Sequence, residues 1–286
     1  MPPAPPIVVV ISSQVASGMV GGRVSQHILQ TMGCAVWFVP TVAMNWHPGI
    51  GPAQRRVSAA ADLRASFDDL LNHPAGLRPA AVLSGYMGAA EQVAVVRDYI
   101  DAAKAADPAL RYFCDPVIGD HGRVYVGEPV ADAIRDQLLP LADIAAPNRF
   151  ELGWLRGDTD NEALMKQADQ AAALVPAEVL VTSASAFMRG STAVLQCLNG
   201  RAVLAEHRAV AASPHGAGDA FAACYLARML RGEVAGDALQ RAAASVSELL
   251  AHTGDGALAL EGNGAALMRP QAPVSLRQVS LPRRSK

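Results

Sequence analysis

The chain has 286 residues, 51% hydrophobic and 17% charged, which is ample for one large buried core. Its formal net charge of −2 provides no broad basic field, arguing against nucleic acid as a partner and for a small anion held by local groups. The four cysteines, Cys34, Cys114, Cys197 and Cys224, lie far apart with no CxxC pair, a pattern of structural thiols in a reducing cytoplasm.

Residues 1–6 are proline-rich, lack a basic residue and precede a short apolar run, so they read as a flexible N-terminus and not a signal peptide. From residue 7, short β-branched runs alternate with alanine-rich helical patterns. Strands are predicted at 7–11, 35–39, 80–84, 111–114, 143–145 and 178–182, and helices at 22–32, 60–71, 89–105, 130–139, 161–174, 217–230 and 236–252. This order predicts an α/β fold with a mostly parallel sheet covered on both faces. Between Thr192 and His207, Asn199-Gly200 signals a hairpin, expected as an antiparallel edge late in the sheet. No repeat or linker divides residues 7–269, which read as one domain. Residues 270–286, with Arg277, Arg283, Arg284 and Lys286 among Pro and Ser, read as a mobile tail. No apolar stretch is long enough for a membrane span.

In open α/β sheets ligands bind beyond the carboxyl ends of the strands. Polar residues collect at such positions: Ser12 and Ser13, Thr41 to His47, Tyr86, Asp115, Asn148 with Glu151, and Thr182 with Ser183. Gly18, Gly21 and Gly22 follow the first strand, but their spacing is not GxGxxG and no acidic residue ends the second strand, which disfavours a dinucleotide site. A Walker GxxxxGK[ST] motif is also missing. Any phosphate cradle must then be a helix N-terminus. The best candidate is Ser213-Pro214-His215-Gly216-Ala217-Gly218-Asp219-Ala220-Phe221, a small-residue turn opening a helix with one carboxylate in its first turn. This suits phosphoryl transfer to an alcohol, with Asp219 either a general base or a simple N-terminal cap. The helix N-terminus is expected to lower the Asp219 pKa.

A second acidic group comes from Asp115-Pro116-Val117-Ile118-Gly119-Asp120, where Gly119 is expected to allow a turn that points both carboxylates into one space. Asn148 and Glu151, three apart, share a helix face and could join that site through water. Magnesium suits so sparse a set, because it keeps several waters and takes phosphate oxygens. For Asp115 or Asp120 alone, a turn-forming side chain is the alternative. His47 is either a ligand-facing or a solvated loop residue, and Tyr86 either stacks on a planar ring or fills core.

With these residues assembled, the chain resembles the pyridoxal kinases of the ribokinase-like superfamily over about 7–252. The resemblance rests on Ile11 to Val15 through Gly21, on Asn45 to Gly49, and on Ser84-Gly85-Tyr86-Met87-Gly88-Ala89-Ala90-Glu91-Gln92. It continues through Tyr112 to Asp120, Val124-Tyr125-Val126, Leu141 to Leu152, Thr182-Ser183 and Gly216-Ala217-Gly218-Asp219. It implies a three-layer α/β/α fold and ATP-dependent phosphorylation of the 5′-hydroxymethyl group of pyridoxal, with pyridoxine and pyridoxamine as further substrates. By resemblance, Ser13, Val20, Met44, His47 and Tyr86 line the pyridoxal pocket. Asp115, Asp120, Tyr125, Glu151, Thr182 and Ser183 serve MgATP, with Asp115 and Glu151 holding the metal partly through water. Asp219 is the base, and Gly216, Ala217 and Gly218 form the anion turn. A homodimer and a monovalent cation, potassium or sodium, are also implied.

Three departures fall on the substrate side: Gln14 where the family usually has His, Gly22 where it has Asn, and Pro48 where it often has Thr. They leave two other readings open: a relative acting on hydroxymethylpyrimidine or a sugar, and a non-catalytic protein that binds vitamers or nucleotide.

Overall fold

The computed structural model describes residues 4–210, 214–253 and 258–281; Ser213, Arg283, Arg284 and Lys286 lie outside them. The first half of the chain forms β1 (Ile7–Val15), α1 (Gly22–Thr31), β2 (Ala35–Met44), β3 (Arg55–Val57), α2 (Ala60–Leu71), β4 (Ala81–Ser84), α3 (Ala90–Ala106) and β5 (Arg111–Cys114). A small hairpin, β6 (Gly119–Asp120) and β7 (Arg123–Val124), leads to α4 (Glu128–Ala133), β8 (Ile144–Ala145), α5 (Arg149–Leu155) and α6 (Leu164–Ala172). Then come β9 (Glu178–Ala184), β10 (Ser191–Leu198), β11 (Arg201–Arg208), α7 (Ala217–Leu230), α8 (Ala235–Ala251), α9 (Gly264–Met268) and β12 (Ser275–Val279).

Ten strands form one sheet in the order β12-β11-β10-β9-β8-β5-β4-β1-β2-β3. The inner pairs from β2 to β9 are parallel, whereas β3, β10, β11 and β12 run antiparallel to their neighbours. Strand β1 shows why the sheet needs two helical layers. Val8 and Val10 pack against α1, α7 and α8, while Val9 and Ile11 pack against α2 and α3, and all four side chains are fully buried. A third apolar cluster joins α5 and α6 to β9, β10 and β11. The three-layer α/β/α arrangement is the one the element order predicts.

The differences have local causes. Strand β2 continues past Pro40, which is in register with Ser12 of β1 and lies just before Val42 to Met44, the residues that β3 pairs with. Strand β1 runs on to Val15 with a register shift between Ser12 and Gln14, so the two serines lie within the strand and not after it. The predicted helix at 130–139 becomes α4, one π turn and one 3-10 turn, since Pro140 cannot donate within a regular helix. Asn199 and Gly200 both take positive φ, +50° and +71°, as the two-residue hairpin turn requires.

The predicted mobile tail needs correction. Residues 275–279 form β12, which pairs with β11 from Ala202 to Glu206 and covers the outer side of the hairpin. The free edge of β11 supplies the hydrogen-bonding partners that composition does not reveal. At the other end, the Pro6 carbonyl accepts the Ala35 amide at 3.0 Å, which ties that residue to β2. Among the described residues no helix is long and apolar enough to cross a membrane.

Candidate active site

The N-terminus of α7 faces the carboxyl end of β1. Gly216 adopts φ +98°, and a Cβ there would lie 2.5 Å from the Met19 carbonyl, so this turn is fitted to the loop between β1 and α1. Above Gly218, by contrast, a Cβ would meet nothing within 4 Å, which leaves the helix-opening amides approachable by an anion. Asp219 follows in the first turn, and its Oδ2 accepts the Gly21 amide at 2.9 Å. Burial raises its pKa to about 6, against the lowering effect of the Gly21 amide and its own. The expected depression is thus reversed: desolvation outweighs the helix terminus.

Asp115 and Glu151 form the second part. The Glu151 side chain is 2% exposed and accepts three backbone amides: Ile118 at 2.7 Å and Gly119 at 3.2 Å on Oε1, and Asn148 at 2.9 Å on Oε2. Asn148 reciprocates through its Oδ1 from the Glu151 amide and its Nδ2 to the Gly119 carbonyl, so a capping box locks α5 to the turn after β5. Burial still raises the Glu151 pKa to about 7, opposed by those amides and aided by the charge of Asp120. Asp115 is held well above the usual carboxylate range by burial, then by the charges of Glu151 and Asp219. The negative charge of Glu151 and Asp219 thus converges on Asp115, where a cation would relieve it.

Asp120 stands at the edge of that space, its charge reaching Glu151 while its side chain faces solvent. Its side chain is 53% exposed, and Oδ1 accepts the His121 amide at 2.8 Å, because His121 (φ +48°) and Gly122 (φ +75°) make the β6–β7 turn beneath it. Gly119 serves close approach, since a Cβ would stand 2.4 Å from the Arg123 carbonyl. The unusual backbone beside Asp115 is instead that of Val117, a β-branched residue at φ +47°. Tyr125 is exposed at the rim, its amide donating to the Ile118 carbonyl at 3.1 Å. Thr182 bridges to Asn148, and Ser183 takes φ +51° beside it, placing both next to the α5 terminus. Among the described residues no three His, Cys, Asp or Glu side chains are arranged to hold a metal by themselves.

The opposite wall is apolar. Val20 and Tyr86 pack on a cluster of Val15, Val42 and Met44, bringing three of the predicted pocket residues together. Ser13 is buried beside Gly21, where a Cβ would come within 2.5 Å of its hydroxyl. Tyr86 is fixed from behind: Arg55 Nη2 donates to its hydroxyl at 3.1 Å and to the Gly88 carbonyl at 3.0 Å, with the guanidinium 5.6 Å from the ring. Thr41 Oγ1 donates to the Tyr86 carbonyl at 2.6 Å, and the buried Gln92 amide ties Gly88 to the carbonyls of Thr41 and Ser58. Thr41 is therefore a brace for this wall.

His47 accepts the Gly49 amide on Nδ1 at 3.0 Å, and its ring lies 3.8 Å from that of His215. Burial, then the charge of His215, lowers its pKa. Arg55 and His215 were not assigned roles from sequence: β3 is three exposed residues with no pattern, and nothing local pairs two histidines 168 positions apart. The Gly22 departure has a packing reason, since a Cβ there would fall 2.0 Å from the Phe38 ring. Gln14 and Pro48 are exposed. All four cysteines are buried and free, and burial pushes each thiol upward in pKa.

A family model described as phosphomethylpyrimidine kinase matches residues 59–261. Pyridoxal kinase PdxY of Granulibacter bethesdensis is 37% identical over 254 residues, covering 86% of this chain and 89% of its own. The pyridoxine/pyridoxal/pyridoxamine kinase of Bordetella bronchiseptica is 36% identical over 277 residues, covering 91% and 95%. In fold, pyridoxal kinase from Entamoeba histolytica superposes with a TM-score of 0.89 at 21% identity over 97% of this chain and all of its own. The Leishmania donovani pyridoxal kinase in complex with ADP and pyridoxamine gives 0.85 at 23% identity over 96% and 99%. The family model spans the acidic wall and Tyr86, the relatives cover most of the chain, and the chain belongs to the pyridoxal kinase family of the ribokinase-like superfamily.

Proposed function

We propose that this enzyme transfers the γ-phosphoryl group of ATP to the 5′-hydroxymethyl group of pyridoxal, and also of pyridoxine and pyridoxamine, making pyridoxal 5′-phosphate available by salvage. The observation that carries this reading is the placement of Asp219. Its carboxylate, with proton affinity raised to about 6, stands at an open helix N-terminus beside the loop that holds Val20 and Gly21. A base of that strength is mostly ionised at neutral pH and takes the alcohol proton as the oxygen attacks phosphorus. The Gly216, Ala217 and Gly218 turn provides amides for the phosphate, while Tyr86, Val20 and Met44 offer an apolar surface to a planar ring and Ser13 a hydroxyl to its polar edge. Relatives named pyridoxal kinase support the substrate class, and the ADP complexes of structural neighbours support the nucleotide.

The donor chemistry fits magnesium: two oxygen-bearing side chains, Asp115 and Glu151, whose proton affinity is raised by burial and by neighbouring carboxylate charge. Asp115 would hold the ion directly or through water. Glu151, whose oxygens are engaged by backbone amides, would act through water. When bound, magnesium neutralises charge on the phosphate oxygens. Asp120, Tyr125, Thr182 and Ser183 complete the nucleotide side in this reading, which extends to a monovalent cation, a homodimer and a cytoplasmic location.

The test is ADP release measured with pyridoxal, pyridoxine, pyridoxamine, hydroxymethylpyrimidine and ribose in parallel. Turnover of the vitamers is expected to exceed the others. Failure of pyridoxal with ready turnover of hydroxymethylpyrimidine or ribose transfers the assignment to that alcohol, and no turnover with any of them leaves a binding protein.

A further inference from the structure

Three segments distant in sequence meet at His215. Its ring lies 3.8 Å from that of His47, with an angle of 32° between their planes. The loop carrying His47 is shaped around this pair. The Gly49 amide donates to His47 Nδ1, and a Cβ on Gly49 would stand 2.7 Å from His215 Nε2 and 3.0 Å from His47 Nδ1, so a larger residue there would have to displace a ring. On its other side His215 adjoins Gly216, whose turn is pressed against the Met19 carbonyl. The next residues of that loop are Val20, in the apolar wall, and Gly21, which holds the Asp219 carboxylate.

We infer that His215 is a positioning residue for the alcohol substrate: its ring closes the 45–51 loop onto the α7 turn and so holds His47 over the pocket. This rests on the assignment of His47 to the substrate side. The contact is between ring faces, so an aromatic ring should replace the imidazole where a polar side chain of similar length should not. Because Asp219 is anchored separately through Gly21, loss of His215 should weaken capture of the alcohol without removing the base.

The experiment compares His215→Ala, His215→Asn and His215→Phe by steady-state kinetics with pyridoxal and ATP. Acrylamide quenching of Trp46 is measured in each, in a background where Trp37 and Trp154 are Phe. Trp46 sits beside His47 with Nε1 donating to the Gly51 carbonyl at 3.2 Å, whereas Trp37 stacks on His73 and Trp154 lies under Arg135. The expected result for Ala and Asn is a KM for pyridoxal raised about 3- to 10-fold, the scale of one aromatic contact. The KM for ATP should change less than that, and Trp46 should become more quenchable. Phe should return both the pyridoxal KM and the quenching toward wild type. An unchanged pyridoxal KM and quenching in His215→Ala would overturn the inference, as would equal losses in Ala and Phe or a change confined to ATP. If the unaltered enzyme does not phosphorylate pyridoxal, the kinase assignment fails in that control. Trp46 quenching then still decides whether His215 holds the loop.

Discussion

The two walls of the site are held in different ways. On the acidic wall Asp219 and Glu151 are anchored by backbone: Asp219 by the Gly21 amide, and Glu151 by the amides of Ile118, Gly119 and Asn148. On the apolar wall side chains take the larger share: Tyr86 is held by those of Arg55 and Thr41, and His47 by the ring of His215 as well as the Gly49 amide. Backbone anchors belong to the fold and shift only when it does, whereas side-chain anchors can be replaced one at a time. If the proposed roles hold, the chemistry of phosphoryl transfer is built into the ends of the elements, and the choice of alcohol into contacts that vary without refolding the sheet.

The sharpest test of this contrast is Asp219→Asn. The amide keeps an oxygen for the Gly21 amide but cannot take a proton, so the fold and both substrate affinities should persist while turnover falls about 10²-fold or more. Near-normal turnover would remove Asp219 from the mechanism. The unaltered enzyme should lose kcat/KM as pH falls below about 6, where Asp219 protonates, with magnesium moving that limb to lower pH.

Glu151 and Asp115 separate anchoring from ion binding. Glu151→Gln leaves one buried backbone amide facing an NH2 group, a loss of about 1–3 kcal/mol that should lower Tm by a few degrees. Asp115→Asn should leave Tm nearly unchanged, yet both variants should respond more weakly to magnesium in rate titrations. Unchanged magnesium dependence in both makes them structural. The pH sign follows from the raised Glu151 pKa. With a folded value near 7 and an ordinary value of 4.5, its contribution to stability is fully present below 4.5 and is lost as pH rises through 7. Magnesium with ADP should therefore raise Tm more at pH 8 than at pH 5, and an equal rise at both would mean that the ion does not meet ionised carboxylates.

The apolar wall should respond more mildly. Tyr86→Ala is expected to weaken ring binding by about 1–3 kcal/mol, the range for aromatic stacking on a base, with ATP affinity nearly intact. Arg55→Ala removes only the support behind that ring and should raise the pyridoxal KM by less, on the order of the 0.5–1.5 kcal/mol of one hydrogen bond. An Arg55 effect as large as that of Tyr86 would mean that the guanidinium itself meets substrate.

Much of this arrangement is legible in the sequence because it follows from local rules. The apolar run of β1 and the Gly216 to Asp219 turn declare themselves within a few residues, whereas Asn148 and Glu151, expected to share a helix face, prove to be the capping box of α5. What is not legible depends on partners far along the chain. Strand β12 is recognisable only once β11 presents a free edge, and Arg55 only once β3 lies beside Tyr86. The Asp219 pKa was misjudged for the same reason: the helix terminus is local, while the burial that outweighs it comes from the assembled fold. The five-residue spacing of Asp115 and Asp120 suggests one shared space, but the Asp120 carboxylate accepts the His121 amide at the turn and is half exposed.

Pro48 offers the finest test of the comparison. It is exposed, follows His47 directly, and lacks both the hydroxyl and the amide hydrogen that threonine would offer there. A pocket without that polar group has less to distinguish an aldehyde, an alcohol and an amine on the same ring, so discrimination among the three vitamers should be shallow. Installing Pro48→Thr adds a donor and an acceptor next to a histidine that accepts the Gly49 amide and lies against the His215 ring. The expected outcome is a change of a few-fold in the ratios of kcat/KM among pyridoxal, pyridoxine and pyridoxamine, about 1 kcal/mol or less, with the KM for ATP and the magnesium response unaltered. If the ratios stay fixed, position 48 does not face the alcohol. If the ATP parameters move with them, the two walls are coupled through the loop, and the division between a chemistry set by backbone and a specificity set by side chains does not hold there.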